Sequence, residues 1–244
     1  MSGVIKLPML PAPIDQLWHT LIDLDDRLDV PWSLVGGQMV LLHALEHGEV
    51  PPQISQDGDV IADIRAVPGA LTQVVECLED LGLALQSISA DGLAHRYTRP
   101  AVPRHVVIDV LAPEGLGERA HLTTSPPGRT IEVPGGTQAL NRTEHVRVVH
   151  EGRTGTIPRP TLLAAIVAKA AATALPSPER HYRDLALLCA LVADPFDLVE
   201  QMTPKDRQRL RLANALLEPS HQAWLLVPAS RRSAGRIAFG VLRG

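Results

Sequence analysis

Residues 32–64, WSLVGGQMVLLHALEHGEVPPQISQDGDVIADI, combine two kinds of local pattern. The apolar residues 32–35 predict a short strand that runs directly into Gly36 and Gly37. The apolar spacing after this pair predicts a helix that ends near Gly48, and SQDGDVIADI predicts a second strand. The order strand, glycine pair, helix, strand indicates an α/β fold for this part of the chain.

Three aspartates lie on predicted strands, or at the end of one, where they could bind a metal ion together. Asp57 and Asp59 are two positions apart on an extended strand, so their carboxylates are expected on one face. Asp109 ends the apolar stretch HVVID, where a neighbouring strand would bring it beside the first two. Close carboxylates repel each other unless a proton or cation lies between them, and Mg²⁺ prefers oxygen ligands. Asp63, on the same predicted face, is the reserve candidate.

The glycine pair supplies a second candidate element of the same site. Without a Cβ, Gly36 and Gly37 let backbone N–H groups approach an anion closely, and the following helix directs its positive end towards that anion. The two motifs together predict one element that binds phosphates and another that binds divalent ions for phosphoryl transfer. Asp-Gly is also a common turn dipeptide, so QDGDV equally fits a tight turn before the strand VIADI.

The ordered motifs resemble the AbiEii/MenT-type nucleotidyltransferase toxins, a group within the DNA polymerase beta-like nucleotidyltransferase superfamily. The resemblance rests on the glycine pair, SxDxD at 55–59, HRY at 95–97 and IDVL at 108–111. It continues with a helical Lys169 and with Arg183-Asp184 on the next predicted helix, so that it covers roughly residues 30–190. Gln53 and Ser55 stand where the family often has arginine and threonine.

This resemblance implies transfer of a nucleoside monophosphate from an NTP to an acceptor, with release of pyrophosphate. The implied acceptor is the 3′ end of tRNA, in a type IV-like toxin–antitoxin system with a separate antitoxin protein. The implied cofactor is Mg²⁺ or Mn²⁺, bound by Asp57, Asp59 and Asp109. The residues implied to bind the nucleotide are Gly36, Gly37, Ser55 and Lys169. The residues implied in catalysis are Asp57, Asp59, Asp109, Lys169 and Asp184.

The scarcity of lysine in the chain favours a functional role for Lys169. The chain has twenty arginines and only three lysines, and one of the three, Lys169, falls in the matching place. An ammonium group near a triphosphate offsets charge on the β- and γ-phosphates. The alternatives are an ordinary surface lysine, and an Asp184 that pairs with Arg180 or Arg183 in a surface network.

The residues leave other functions open. The same core could modify a small molecule such as an aminoglycoside, or a protein hydroxyl, and a regulatory protein could keep the fold without catalysis. HALEH at 43–47 also matches the H-x-x-E-H pattern of zinc peptidases, with His43 and His47 as ligands and Glu46 as base. That zinc hydrolase would take its third ligand from Glu76 or Glu79.

The expected organisation is a nucleotidyltransferase core at 1–158 followed by a mainly helical domain at 159–244. The first part is predicted to be α/β, a mixed sheet with flanking helices. After Pro160, expected in a first helical turn, helix-length runs at 161–175, 179–193 and 203–218 have no strand between them.

Charge and composition place the chain in an ordinary globular class. The net charge is −4, but residues 203–244 carry eight basic and two acidic residues, a net +6 that leaves −10 for the rest. This basic end suits phosphates or a solvated helix face. Arg96, Arg99 and Arg104 are further candidates for contacts with an RNA backbone. A cytoplasmic location without membrane contact is expected, since no long apolar run or signal-peptide pattern occurs, and Cys77 and Cys189 are expected to be reduced.

Overall fold

The computed structural model describes residues 3–117 and 122–244. Contacts within the chain divide it into two compact units. The first unit comprises Met1–Met39 and Ile54–Pro160, and the second comprises Val40–Gln53 and Thr161–Gly244. The sequence analysis placed a single boundary after residue 158, and periodicity gives no sign that residues 40–53 belong with the helical part.

Eleven strands and ten α-helices occur in the described residues. The strands are β1 (Ile5–Lys6), β2 (Trp32–Val35), β3 (Asp57–Ala62), β4 (Ala84–Leu85), β5 (Arg96–Arg99), β6 (Val106–Pro113), β7 (Thr123–Ser125), β8 (Gly128–Arg129), β9 (Ile131–Val133), β10 (Thr143–His150) and β11 (Arg153–Pro160). The helices are α1 (Ala12–Arg27), α2 (Gly36–Glu46), α3 (Ala70–Asp80), α4 (Gly136–Asn141), α5 (Leu162–Ala172), α6 (Glu179–Ala190), α7 (Pro195–Val199), α8 (Pro204–Leu210), α9 (Gln222–Leu225) and α10 (Ala229–Arg243). A 3₁₀ helix (Arg211–Leu217) follows α8.

The first unit is built on a mixed sheet with the strand order β2-β3-β6-β5-β4, and β9 also pairs with β6. Strands β3 and β6 are parallel, whereas β2 and β5 run antiparallel to their neighbours β3 and β6. A smaller sheet has the order β1-β10-β11. Helices α1 and α3 contact each other and the central strands β3 and β6. The predicted α/β class, a mixed sheet with flanking helices followed by a helical C-terminal region, is confirmed.

Two glycines allow α1 to lie very close to both sheets. A Cβ at Gly58 of β3 would lie 3.0 Å from Leu17 Cδ1, and a Cβ at Gly155 of β11 would lie 2.5 Å from a methyl carbon of Ile22. Leu17, Trp18 and Ile22 are fully buried. This packing holds α1 firmly, because interiors at this density leave no room for a shift.

The second unit is a set of helices around α6, which contacts α5, α9 and α10. Gly235 of α10 lies so close to α6 that a Cβ there would be 3.0 Å from the Cα of Ala190. Helix α10 was not predicted, although the runs that became α5, α6 and α8 were.

Strand β11 differs most from expectation. Pro160 was expected in a first helical turn, but it ends β11, and the helix begins only after the N-cap Thr161, whose side chain accepts a hydrogen bond from the Ala164 N–H. Among the described strands, β11 pairs with β10 alone and forms the edge of its sheet. Edge strands tolerate proline because not every N–H there has a hydrogen-bond partner in the sheet. Because Pro158 and Pro160 are typical of loops, the sequence pattern did not predict this strand.

Two further findings concern the cysteines and the length of the helices. Cys77 and Cys189 are both free and buried, as expected for reduced core thiols. Over the described ranges, we find no helix that combines the length and the apolar character needed to cross a lipid bilayer.

Candidate active site

Three neighbouring strands place Asp59, Asp109 and Arg96 side by side. Asp59 of β3 is the register partner of Asp109 of β6, and Asp109 is in turn the partner of Arg96 of β5. Register partners present their side chains on the same face of a sheet. Asp57, two residues before Asp59 on β3, shares that face. The sheet therefore gathers three carboxylates and one guanidinium in a single row, which we call the aspartate row.

Arg96 binds Asp109 through both carboxylate oxygens. Its Nε donates to Oδ1 at 2.8 Å, and a terminal nitrogen donates to Oδ2 at 2.7 Å. The same nitrogen lies 3.7 Å from Asp57 Oδ2. The Asp109 side chain is 9% exposed, so the pair is largely shielded on its acidic side. Sequence analysis treated Arg96 as a contact for RNA, whereas the structure makes it part of the aspartate row.

The negative charges of the aspartate row change the pKa of Arg96. The hydrogen bond with Asp109, and then the negative charges of Asp109, Asp57 and Asp59, raise the pKa of Arg96 above its ordinary value against an opposing effect of burial. The guanidinium is therefore permanently charged. Its positive charge offsets part of the negative charge of the three carboxylates. The HRY motif at 95–97 and the later apolar stretch HVVID were the available signals for this pairing.

Ser55 and Gln38 support the beginning of β3. The hydroxyl of Ser55 hydrogen-bonds to Asp57 Oδ1. The backbone carbonyl of Ser55 accepts a hydrogen bond of 2.7 Å from Nε2 of Gln38, a fully buried side chain. These contacts fix the orientation of the Asp57 carboxylate before any ligand arrives.

The glycine pair is required by close approach to the same residues. Gly36 has a φ of +67°, and a Cβ there would lie 1.7 Å from Asp59 Oδ2. A Cβ at Gly37 would lie 2.4 Å from the Cβ of Ser55. Any side chain at Gly36 would therefore displace the Asp59 carboxylate, so the start of α2 and the aspartate row form one packed arrangement.

Asp63, the reserve candidate for the metal site, stabilises a local turn instead. Strand β3 ends at Ala62, and Asp63 Oδ1 accepts hydrogen bonds from the backbone N–H groups of Arg65 and Ala66. This is the local turn pattern typical of aspartate.

In the helical unit, Lys169 of α5 pairs with Asp184 of α6. Lys169 Nζ lies 2.6 Å from Asp184 Oδ2, and the lysine side chain is only 8% exposed. His181 lies on α6 one turn before Asp184. Burial, with the charges of Lys169 and Arg180, lowers the pKa of His181 to about 4, whereas Asp184 opposes this effect. Lys169 is thus a buried, paired ammonium and not an ordinary surface lysine.

Arg183 and the histidines of the HALEH motif also form hydrogen bonds within the protein. Arg183 donates to the side-chain carbonyl of Gln53 at 2.7 Å. His47 Nδ1 contacts the backbone carbonyl of His43 in α2. Within residues 3–117 and 122–244, the group of metal-ligating side chains whose ligand atoms all lie within 4.8 Å of one another includes neither His43 and His47 nor the three aspartates of the aspartate row.

Most arginines considered for RNA contacts serve the protein itself. Arg99 donates to the Leu81 carbonyl and to the Thr20 hydroxyl, and Arg104 donates to Gln56. In the basic C-terminal region, Arg231 pairs with Glu49 and Arg209 is buried. The basic residues of that region with exposed side chains are Lys205, Arg211 and Arg236.

Comparison with known proteins adds little to this geometry. No family model matches the chain, and no curated protein matches it. The chain is similar to the solution structure of the antibiotic-resistance factor ANT(2'')-Ia, with 16% identity over 93% of this chain and 91% of that chain, at a TM-score of 0.36. A likeness at this level carries no argument about activity. The functional conclusion therefore depends on the site, and membership of the AbiEii/MenT group stays a prediction.

Proposed function

We propose that the protein is a metal-dependent nucleotidyltransferase, which moves a nucleoside monophosphate from an NTP to an acceptor. The observation that supports this most is the aspartate row, in which Asp57, Asp59 and Asp109 share one sheet face with Gly36 packed against Asp59. Carboxylates on adjacent strands beside a helix that begins with two glycines suit a metal-bound triphosphate.

The donor chemistry of the row fits Mg²⁺ or Mn²⁺. Every candidate ligand is a carboxylate oxygen, which hard divalent ions prefer. Asp57 and Asp59 would hold the ion, with Asp109 as third ligand when Arg96 releases one of its oxygens. Such an ion, when bound, stabilises charge on the phosphates and favours ionisation of the attacking hydroxyl.

The protein's own groups have separable tasks in this proposal. Gly36 and Gly37 bring backbone N–H groups of α2 to the phosphates, which no residue with a Cβ could do at this distance from Asp59. Ser55 orients Asp57 through its hydroxyl. Arg96 binds both oxygens of Asp109 and so fixes the orientation of that carboxylate in the row. All three effects are forms of positioning, which dominates phosphoryl transfer.

Lys169 and Asp184 are proposed to serve the same reaction on the strength of the family resemblance. Their buried ion pair supports the assignment, because an ammonium held in one orientation by a carboxylate is suited to a phosphate oxygen. His181 beside them is neutral at pH 7, so it adds no positive charge to compete with Lys169.

The acceptor proposed from the resemblance is the 3′ end of tRNA, with the chain acting as a toxin under the control of an antitoxin protein. The exposed Lys205, Arg211 and Arg236 are the basic residues left to contact RNA in the C-terminal region. Small molecules and protein hydroxyls are tested as acceptors in the same experiment.

The experiment supplies Mg²⁺, each α-labelled NTP in turn, and one acceptor class at a time: total tRNA, cationic amino sugars, or a protein mixture. Label is expected in tRNA with the intact protein, and not with an Asp57→Ala, Asp59→Ala double variant. An Asp63→Asn variant is the matched control, because Asp63 is adjacent in sequence but serves a turn. Label in another acceptor class would correct the acceptor, and no label in any class would contradict the proposed function.

A further inference from the structure

A second cluster of polar side chains joins α1 to the β10–β11 hairpin, apart from the aspartate row. Asp15 and His19 lie four residues apart on α1, His150 ends β10, and Glu151 follows it in the hairpin turn. The four potential ligand atoms, two imidazole nitrogens and two carboxylate oxygens, all lie within 4.8 Å of one another. None of these residues belongs to a motif recognised in the sequence.

The side chains face each other in two pairs. His150 Nε2 hydrogen-bonds to Asp15 Oδ1, and His19 Nε2 lies 3.5 Å from Glu151 Oε2. The two imidazole ring centres are 5.0 Å apart. His150 is only 1% exposed, and its other ring nitrogen has no hydrogen-bond partner among the described residues. A buried imidazole is thus directed into the cluster by one nitrogen alone.

Both segments that carry the cluster are held in place. Helix α1 lies tightly against β11 through Gly155 and Ile22. The hairpin has a two-residue turn in which Glu151 has a φ of 47° and Gly152 a φ of 81°. Such turns favour Asn-Gly or Asp-Gly, so a glutamate at the first position is unusual. The turn thus fixes the backbone of Glu151, and the Glu151 carboxylate lies near His19.

We propose that Asp15, His19, His150 and Glu151 form a binding site for a divalent transition metal, preferably Zn²⁺. Two imidazoles with two carboxylates suit Zn²⁺ in a tetrahedral site, whereas Mg²⁺ prefers oxygen ligands alone. Bonds of about 2.0–2.1 Å in such a site place ligand atoms about 3.3 Å apart, close to the His19–Glu151 separation. The closer His150–Asp15 pair must open slightly and release its shared proton.

Four protein ligands close a tetrahedral shell, so the site is structural. It links the N-terminal helix to a hairpin more than 130 residues later in the chain. This inference does not depend on the proposed nucleotidyl transfer.

Calorimetric titration of the full chain, stripped of metal by a chelator, with Zn²⁺ alone tests the site. One ion per chain is expected in addition to any ion bound at the aspartate row, and His19→Ala is expected to weaken this binding at least about 100-fold, since loss of an outer partner alone costs about 10–100-fold. His19 is about one-third exposed, so its removal leaves the core intact. His105→Ala, at an exposed histidine outside the cluster, is expected to bind Zn²⁺ like the unaltered protein.

Co²⁺ serves as a second probe that reports geometry. The unaltered protein with one Co²⁺ is expected to show the visible absorption of a tetrahedral complex, and His19→Ala is expected to lose it. The proposal would be overturned by equal Zn²⁺ affinity in His19→Ala, or by the absence of binding to a protein that is folded by circular dichroism. Binding that is lost only in an Asp57→Asn, Asp59→Asn variant would assign the ion to the aspartate row and equally overturn it.

Discussion

Gly36 is the residue with the least freedom in the candidate active site. Its backbone has a φ of +67°, and a Cβ would overlap the Asp59 carboxylate. Gly48 has a similar φ of +74° but has nothing within 4 Å of a built Cβ, so it provides a matched control for backbone strain alone. The comparison of the two separates conformational cost from steric overlap.

We expect Gly48→Ala to lower the free energy of unfolding by about 1–2 kcal/mol, the cost of a left-handed alanine. Gly36→Ala is expected to lower it by a further 1–3 kcal/mol or so, because the overlap forces the Asp59 side chain or the backbone to move. Urea unfolding of both variants measures the difference. Equal losses for the two variants would mean that Asp59 moves away without cost, contrary to the packed arrangement described here.

Arg96 provides the second test at this scale. Arg96→Met removes two charge-assisted hydrogen bonds from Asp109 and leaves a largely buried carboxylate without its cation. The expected loss is about 1–3 kcal/mol, below the value for a fully buried pair because the Arg96 side chain is 42% exposed. Millimolar Mg²⁺ is expected to stabilise Arg96→Met more than the unaltered protein, since the ion replaces the missing charge.

Arg104→Met is the control, because Arg104 makes an exposed hydrogen bond to Gln56 and lies outside the aspartate row. Its stability should change by less than about 0.5 kcal/mol, with no extra response to Mg²⁺. If Mg²⁺ stabilised all three proteins to the same extent, competition between Arg96 and an ion at the aspartate row would be disproved.

His181 makes stability depend on pH in a defined direction. Its pKa is about 4 in the folded protein, from an ordinary value of 6.5, so between these values the unfolded chain binds a proton that the folded chain does not. The free energy of unfolding therefore falls as pH falls through this window, by about 2 kcal/mol between about pH 7 and about pH 5. Urea unfolding at both pH values measures this effect. Between them, the free energy of unfolding of His181→Asn should fall less than that of the unaltered protein, by this amount.

The exposed His105 gives the reference for that experiment. His105→Asn removes an imidazole outside the helical unit and is expected to keep the full loss of stability. An equal pH dependence in His181→Asn and the unaltered protein would show that His181 is not held neutral.

At the scale of elements, much of the first unit could be predicted, because β2, β3 and β6 carry strong local patterns of apolar residues and the glycine pair marks the start of α2. The contact of Arg96 with Asp109 could not be predicted in the same way. It depends on the register of an antiparallel pair, which local periodicity does not specify. Strand β11 escaped prediction because its prolines are characteristic of loops, and the Asp15–His150 contact because it joins residues 135 positions apart.

Helix α10 gives a paired prediction about packing. A Cβ at Gly235 would lie 3.0 Å from backbone atoms of Ala190 in α6, whereas a Cβ at Gly240 has nothing within 4 Å. Gly235→Ala is expected to destabilise the helical unit by about 1–3 kcal/mol through overpacking. Gly240→Ala is expected to stabilise it by about 0.5–1 kcal/mol, because alanine favours the helix. Thermal unfolding measures both, and equal signs would contradict the close contact between α10 and α6.

At the scale of the whole molecule, sequence patterns indicated a sheet-based part followed by a helical part, but not that residues 40–53 belong to the second unit. The strong positive charge of residues 203–244 is likewise a sequence property that the structure qualifies. Several of its arginines serve internal contacts, including the ion pair of Arg231 with Glu49. Charge distribution alone does not specify a partner, so the transfer experiment decides the acceptor.

The measurement that tests nucleotidyl transfer most directly compares two positions of the label in one NTP. With Mg²⁺ and the accepting substrate, label from the α-phosphate should enter the acceptor, and label from the γ-phosphate should appear in pyrophosphate. Asp59→Asn should lower both by at least about 100-fold, the cost of losing a key electrostatic contact in catalysis, while Asp63→Asn should keep both. Transfer of γ-label to the acceptor, or activity that survives in Asp59→Asn, would contradict the assignment of the aspartate row to nucleotidyl transfer.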